Sequence, residues 1–346
     1  MDHGKFDTVL VAGGSGYLGS HIVERLLSGD HASKIIIASR KQPSTIPEGT
    51  EWHPLDVTSK DSVTKLFDVT QPQIVIHTVT APHLARKLQE ATTINGTSLL
   101  LEAAKNCKKT NAFIYTSSDS ACHYSPFRQI TEDQAQLYTS TTYNNPYGRA
   151  KAIADAAVLS ANSPELRTAS IRVPVIYGER DHNIIPGFVR LIRKGEHKMQ
   201  IGPNEKMCEF VSVESAAEAH ILAAKALNTS APGTDGQAYF ITDNQPQPFF
   251  TFGRKCCAAA GHPVPDSEIK VMPFWLIRSL ASAGEWFLWV VTFGFKTPDL
   301  RRQDIDHLDG GCWWSTEKAE RLLGYKPVID QDEAIKRAMK WGMENC

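Results

Sequence analysis

The chain has 346 residues, room for two ordinary domains or one large α/β unit. Its 42% hydrophobic and 22% charged composition is that of a packed globular protein and excludes disorder over most of its length. Lys plus Arg number 37 and Asp plus Glu 38, a formal charge of -1, which argues against a nucleic-acid partner because the necessary basic field is missing.

In chain order, Phe6 to Ala12 is a short apolar run that predicts a buried strand. The glycine-rich GGSGYLG follows, and His21 to Leu27 has apolar residues at helical spacing. Lys34 to Ala38, Ile74 to His77 and Ala112 to Thr116 predict further strands, with a helical segment before the last of them. A helix is expected from about Pro146 to Ser160, then a strand run from Ala169 to Tyr177. Apolar strands alternating with helices predict an α/β, Rossmann-type, doubly wound parallel sheet covered on both faces. After residue 178 the pattern loosens. This suggests a dinucleotide-binding domain over 1–178 and a smaller, mainly substrate-binding C-terminal region over 179–346, interleaved to some degree with the first.

Seven cysteines, without a CxxC pair, suggest neither a zinc site nor a disulfide framework, so no metal is expected. A reduced intracellular compartment is the simpler expectation. The first residues do not form a secretory signal, because their apolar stretch is short and runs into glycines.

The glycine turn carries chemistry. A chain leaving a strand must turn sharply, let a pyrophosphate approach its backbone, and feed a helix packed close to the sheet. Gly13, Gly16 and Gly19 meet those demands, and the helix beginning near Tyr17 and Leu18 aims free N–H groups at the phosphates. An acid at the end of the second strand would bind the ribose 2′-hydroxyl of NAD(H). Ser39, Arg40 and Lys41 stand there instead and suit a 2′-phosphate, which favours NADP(H), with NAD(H) as the other candidate. Asp56 and Val57 either border the adenine or serve as a local cap.

Tyr147 and Lys151 are four apart, on one face of the expected helix, with Pro146 suited to its first position. A nearby ammonium favours a phenolate, which can exchange a proton with an alcohol/ketone pair. Ser118, at the end of a strand 29 residues before Tyr147, can hold the substrate oxygen. Each feature alone is common; the ordered set is not.

The set resembles an extended short-chain dehydrogenase/reductase over nearly the whole chain. The glycine loop matches that family's TGxxGxxG pattern with Ala12 in place of Thr. Ser118 falls at its catalytic serine, Tyr147 and Lys151 at its YxxxK pair, and Arg172 to Gly178 resembles its R-P-x-x-I-Y-G strand with the proline displaced to Pro174. Thr93 stands where the family often has asparagine. Glu209-Phe210-Val211, Ala219-His220-Ile221-Leu222 and Tyr239 to Asp243 are similar to the 3β-hydroxysteroid dehydrogenase branch, in particular to sterol-4α-carboxylate 3-dehydrogenases (decarboxylating). That resemblance implies oxidation of a 3β-alcohol on a hydrophobic polycyclic substrate, with loss of a neighbouring carboxylate. Tyr147 would then move the proton, Ser118 hold the oxygen, and Lys151 bind the nicotinamide ribose and lower the Tyr147 pKa. Pro174 would lie near the nicotinamide. It also implies a homodimer through the helix carrying Tyr147.

Other readings stay open. A ketoreductase or alcohol dehydrogenase tailoring a terpenoid or polyketide needs the same catalytic residues. A sugar-nucleotide epimerase or dehydratase shares the fold, and a non-catalytic NADP sensor would not require Tyr147. The apolar stretch Met272 to Phe295, with Trp275, Trp286, Phe287 and Trp289, is either core or lid, or a peripheral membrane contact. The protein is expected in the cytoplasm, with the endoplasmic reticulum membrane as the surface such a contact would meet. Asp119, Ser120 and the loop from Cys122 to Tyr143 are substrate-pocket candidates by position.

Overall fold

A computed structural model describes residues 5–82, 86–139, 145–292 and 310–346. Its centre is a seven-stranded parallel sheet. Strand β1 is Phe6–Ala12, followed by helix α1 at Tyr17–Ser28 and β2 at Ala32–Ser39. Then come β3 at Thr50–Pro54, α2 at Lys60–Thr70, β4 at Ile74–His77 and β5 at Ala112–Ser118. The strands Arg167–Val173 and Gln237–Phe240 complete the sheet. Its order is Gln237–Phe240, Arg167–Val173, β5, β4, β1, β2, β3.

The central strands are Val, Ile, Leu and Phe runs because both sheet faces are covered. One face packs Val9, Val11, Ile35, Ile37 and Ile76 against α1 and the helix Val213–Asn228. The other packs Leu10, Ile36, Val75, Phe113 and Tyr115 against α2 and the helices Gly96–Asn106 and Pro146–Ser160. Strand order reverses at β1, whose two neighbours β2 and β4 continue in opposite directions through the chain. The crevice at the carboxyl ends of β1 and β4 is therefore the ligand position for a sheet of this kind.

The run Ala169 to Tyr177 is not one strand. Val173 is the last residue to pair with β5, Pro174 lies between, and Val175–Tyr177 pairs instead with Phe210–Ser212. Proline has no N–H for the ladder, so the chain changes partner there. A third cluster joins Ile184–Arg193, Phe249–Ala259 and Gln331–Asn345 around Phe188, Phe252 and Met339. The helix Val213–Asn228 and the strand Gln237–Phe240, both beyond residue 178, are built into the dinucleotide-type layer.

Candidate active site

The glycine turn is held by its own backbone. Gly13 N–H donates to Ala38 O at 2.8 Å, and Gly16 N–H to Gly13 O at 2.8 Å. Gly13 has φ +86°, a conformation that costs side-chain-bearing residues energy. Gly19 is the close-approach position, because a Cβ there would lie 2.1 Å from Gly13 O. Ser15 and Gly16 are exposed, so the outer side of the turn is open. The N–H groups in the first turn of α1 have no intrahelical partners. Turn and helix together fit a dinucleotide pyrophosphate. Leu18 spends its side chain in the core, and Tyr17 packs on the same cluster beside His21 and Gly178, so any contribution they make to the phosphates is through the backbone.

Ser39 ends β2. Its hydroxyl donates to Lys41 O at 2.8 Å and accepts from Trp52 Nε1 at 3.0 Å, while Arg40 and Lys41 are exposed. The Asp56 carboxylate accepts from Thr58 N at 2.9 Å and Thr58 Oγ1 at 2.7 Å. These bonds first, and the nearby Arg40 charge, hold it below the usual range. Asp56 thus closes a local turn; the cap of α2 is Ser59. Val57 is buried against Gly96.

Ser118 is the last residue of β5 and pairs with Val173, one residue before the buried Pro174. Its Oγ accepts from Ser120 N at 3.2 Å and donates to Asp119 Oδ1 at 3.3 Å. The helix Pro146–Ser160 starts at Asn145, whose side chain accepts from Tyr147 N at 3.0 Å. This cap fixes the turn that carries Tyr147, and the phenol hydrogen-bonds Ser118. One turn on, Lys151 is buried at 2% exposure and donates to Thr116 O at 2.7 Å. Its Nζ stands 5.9 Å from the Tyr147 ring centre. The structure thus brings Ser118, Tyr147 and Lys151 together at the carboxyl end of β5.

Electrostatics qualify the expected role of Lys151. Burial pushes the Tyr147 phenol up to about 12, against the Ser118 hydrogen bond. Burial likewise pushes Lys151 down to about 7, with Asp155 opposing. The downward pull on the phenol comes from Ser118, not from Lys151 as the sequence suggests, and desolvation disfavours both charged forms.

Around these lie supporting contacts, of which those of His220 and Asp155 are not marked as site contacts by the sequence, whereas Thr93 and Asp119 stand at positions it points to. Thr116 Oγ1 bonds His220 Nε2 at 2.8 Å, and His220 Nδ1 faces Ala216 O at 2.7 Å. Asp155, fully buried, receives Arg172 Nη2 at 2.9 Å and Ser170 Oγ at 2.7 Å. Thr93, at the family's asparagine position, donates to Gln89 Oε1 at 2.7 Å inside a π-helix over Gln89–Asn95, a distortion that often marks functional sites. Asp119 accepts from Cys312 Sγ at 3.1 Å and Trp314 Nε1 at 3.2 Å. Residues 140–143 of the predicted pocket loop lie outside the described residues.

A glycine turn open to a pyrophosphate, beside a hydroxyl, a phenol and an ammonium at one strand end, defines a nicotinamide-linked short-chain dehydrogenase/reductase acting on CH–OH groups. The model of the 3-beta hydroxysteroid dehydrogenase/isomerase family matches residues 10–271, and the chain belongs to that family. It is 44% identical over 293 residues to a decarboxylating sterol-4-alpha-carboxylate 3-dehydrogenase of Gibberella zeae, covering 83% of this chain and 96% of that one. It is 33% identical over 341 residues to the Schizosaccharomyces pombe protein of the same name, covering 97% of each. Among solved structures, a UDP-glucose 4-epimerase of Thermus thermophilus in complex with NAD superposes with TM-score 0.72 at 19% identity, covering 98% of this chain and all of the other. That likeness is one of fold.

Proposed function

We propose that this enzyme oxidises a 3β-hydroxyl on a sterol-like polycyclic substrate and thereby releases a carboxylate from the neighbouring carbon. The observation that carries the reading is the Ser118–Tyr147 hydrogen bond, with Lys151 on the same helix face. A bound nicotinamide dinucleotide supplies the hydride acceptor. The substrate hydroxyl sits between the Ser118 and Tyr147 oxygens, Ser118 orients it, and Tyr147 exchanges its proton. Lys151 fixes the end of β5 through Thr116 O and offers the remaining donors of its amino group to the cofactor ribose beside the phenol. Once the carbinol carbon is a ketone, the carboxylate on the carbon beside it is that of a β-keto acid. It leaves as carbon dioxide, and its electron pair passes into the ketone as an enolate that is then protonated.

The exposed cations Arg40 and Lys41, following the end of β2, favour NADP(H). The helix Phe274–Thr292 supports delivery of an apolar substrate from a lipid surface. It packs through Ile277 and Ala281, whereas Trp275 and Trp286, about three turns apart on one side, are each 69% exposed. Phe287 and Trp289 side chains and residues 293–295 lie outside the described residues. No helix among the described residues is long and apolar enough to cross a membrane. The contact belonging to this proposal is a peripheral one, with the endoplasmic reticulum as the surface the reading favours. A homodimer through the Pro146–Ser160 helix belongs to the same proposal and is tested by light scattering.

The test is incubation of the purified chain with a 3β-hydroxysterol-4-carboxylate and either NADP+ or NAD+. Reduced cofactor and carbon dioxide in equal amounts, faster with NADP+, are expected. Reduced cofactor without carbon dioxide would move the assignment to a simple alcohol dehydrogenase. Co-sedimentation with vesicles tests the surface contact; no binding would remove it.

A further inference from the structure

A cavity begins at the residues just after Ser118. Asp119 and Ser120 line it, with Val175, Glu209, Phe249 and Cys312 among the other walls. The cavity therefore holds two carboxyl groups, and their surroundings differ. Asp119 is met by four donors: Ser118 Oγ and Ser120 Oγ on Oδ1, Cys312 Sγ and Trp314 Nε1 on Oδ2. That is what an anion requires. Glu209 is 1% exposed. Its carboxyl receives the Thr242 side chain and the Trp314 backbone N–H, and its Oε2 has no partner among the described residues.

We propose that Glu209 is a neutral, substrate-facing hydrogen-bond donor that reads the carboxylate beside the reacting carbinol. An ionised carboxylate with one oxygen bare in an apolar wall is costly, whereas the acid form has an O–H to give and lacks only an acceptor. A substrate carboxylate supplies that acceptor, and the neutral acid adds no second negative charge beside Asp119. This rests on the reading that the substrate carries a carboxylate next to its hydroxyl carbon. The groups facing Glu209 are Asp119, Asp243, Cys208, Cys312 and Tyr325, every one an acid. Burial, then the Asp243 and Asp119 charges, push its carboxyl up to about 8, against the Thr242 and Trp314 hydrogen bonds. Two acids in one cavity with opposed surroundings are the pattern expected where each has its own task.

The test measures KM and kcat of wild type and Glu209→Gln from about pH 6 to about pH 9.5, with a 3β-hydroxysteroid bearing a 4-carboxylate and with one lacking it. In the wild type, KM for the carboxylated substrate should rise about tenfold above about pH 8, because an ionised Glu209 repels it. KM for the uncharged substrate should stay level. Glu209→Gln, still a donor, should keep a low and pH-independent KM for both. A Glu209→Gln profile with the wild-type rise, or parallel wild-type profiles for the two substrates, would overturn the proposal while leaving the function intact. Turnover of neither substrate would remove the function and this role with it. Should the variant fail to fold, the two-substrate comparison in wild type decides alone.

Discussion

Replacing Gly19 with alanine tests the cofactor cradle through a single methyl group. The new Cβ would sit 2.1 Å from Gly13 O, 2.8 Å from Gly13 C and 2.9 Å from Gly14 Cα. All three atoms are backbone, so no side chain can swing away. Ordinary contact begins near 3.4 Å, so the turn must retreat from α1 by more than about 1 Å. Gly13 is tied to Ala38 O and Gly16 N, which resist that movement. Overpacking of this kind costs about 1–3 kcal/mol. The retreat also displaces the N–H groups meant for the pyrophosphate. We expect Gly19→Ala to lose a few degrees of Tm and to bind the dinucleotide at least tenfold more weakly, read by quenching of tryptophan fluorescence. Gly16→Ala, whose Cβ would approach only Gly13 O at 3.1 Å, should cost less stability. Wild-type melting and wild-type cofactor affinity in Gly19→Ala would refute the reasoning.

Two further outcomes follow from buried charge. Asp155→Asn leaves Arg172, 4% exposed, without its counter-ion, and should lower stability by about 3–5 kcal/mol in urea titrations. A loss under about 1 kcal/mol would show that the pair is not what holds that layer. His220 is fully buried, and burial first of all pushes its pKa down to about 4, so the fold keeps it neutral. Below its unfolded value near 6.5, the unfolded chain takes up a proton that the fold refuses. Stability should therefore fall as pH drops from about 6.5 toward about 4, by up to about 3 kcal/mol from this residue. His220→Gln should flatten that slope in melting curves; an unchanged slope would place the acid sensitivity elsewhere.

The parts of the site that could be read from the sequence are those whose geometry is local. Tyr147 and Lys151 share a helix face whatever else the chain does, and the glycine turn is defined by residues adjacent in sequence. Helix Pro146–Ser160 and strands β1 and β4 have the bounds their patterns predict. Strand β3, with the sequence TEWHP, has no apolar run because it lies at the sheet edge and is half exposed. The break at Pro174 was hidden inside an apolar stretch, since only the partner strand Phe210–Ser212 reveals that the ladder changes. Asp119 and its donors Cys312 and Trp314 are separated by almost two hundred residues, and nothing local links them. Glu209 stands out only once its unpartnered oxygen and its place in the wall of a shared cavity are both known.

The most direct measurement is a single-turnover experiment on Tyr147→Phe with cofactor and substrate in excess. The change removes one hydroxyl and leaves the ring, the glycine turn and Lys151 in place. Cofactor affinity should match wild type, while the rate of reduced-cofactor formation should fall by two orders of magnitude or more. Formation at the wild-type rate would contradict the assignment of Tyr147 as the group that moves the proton.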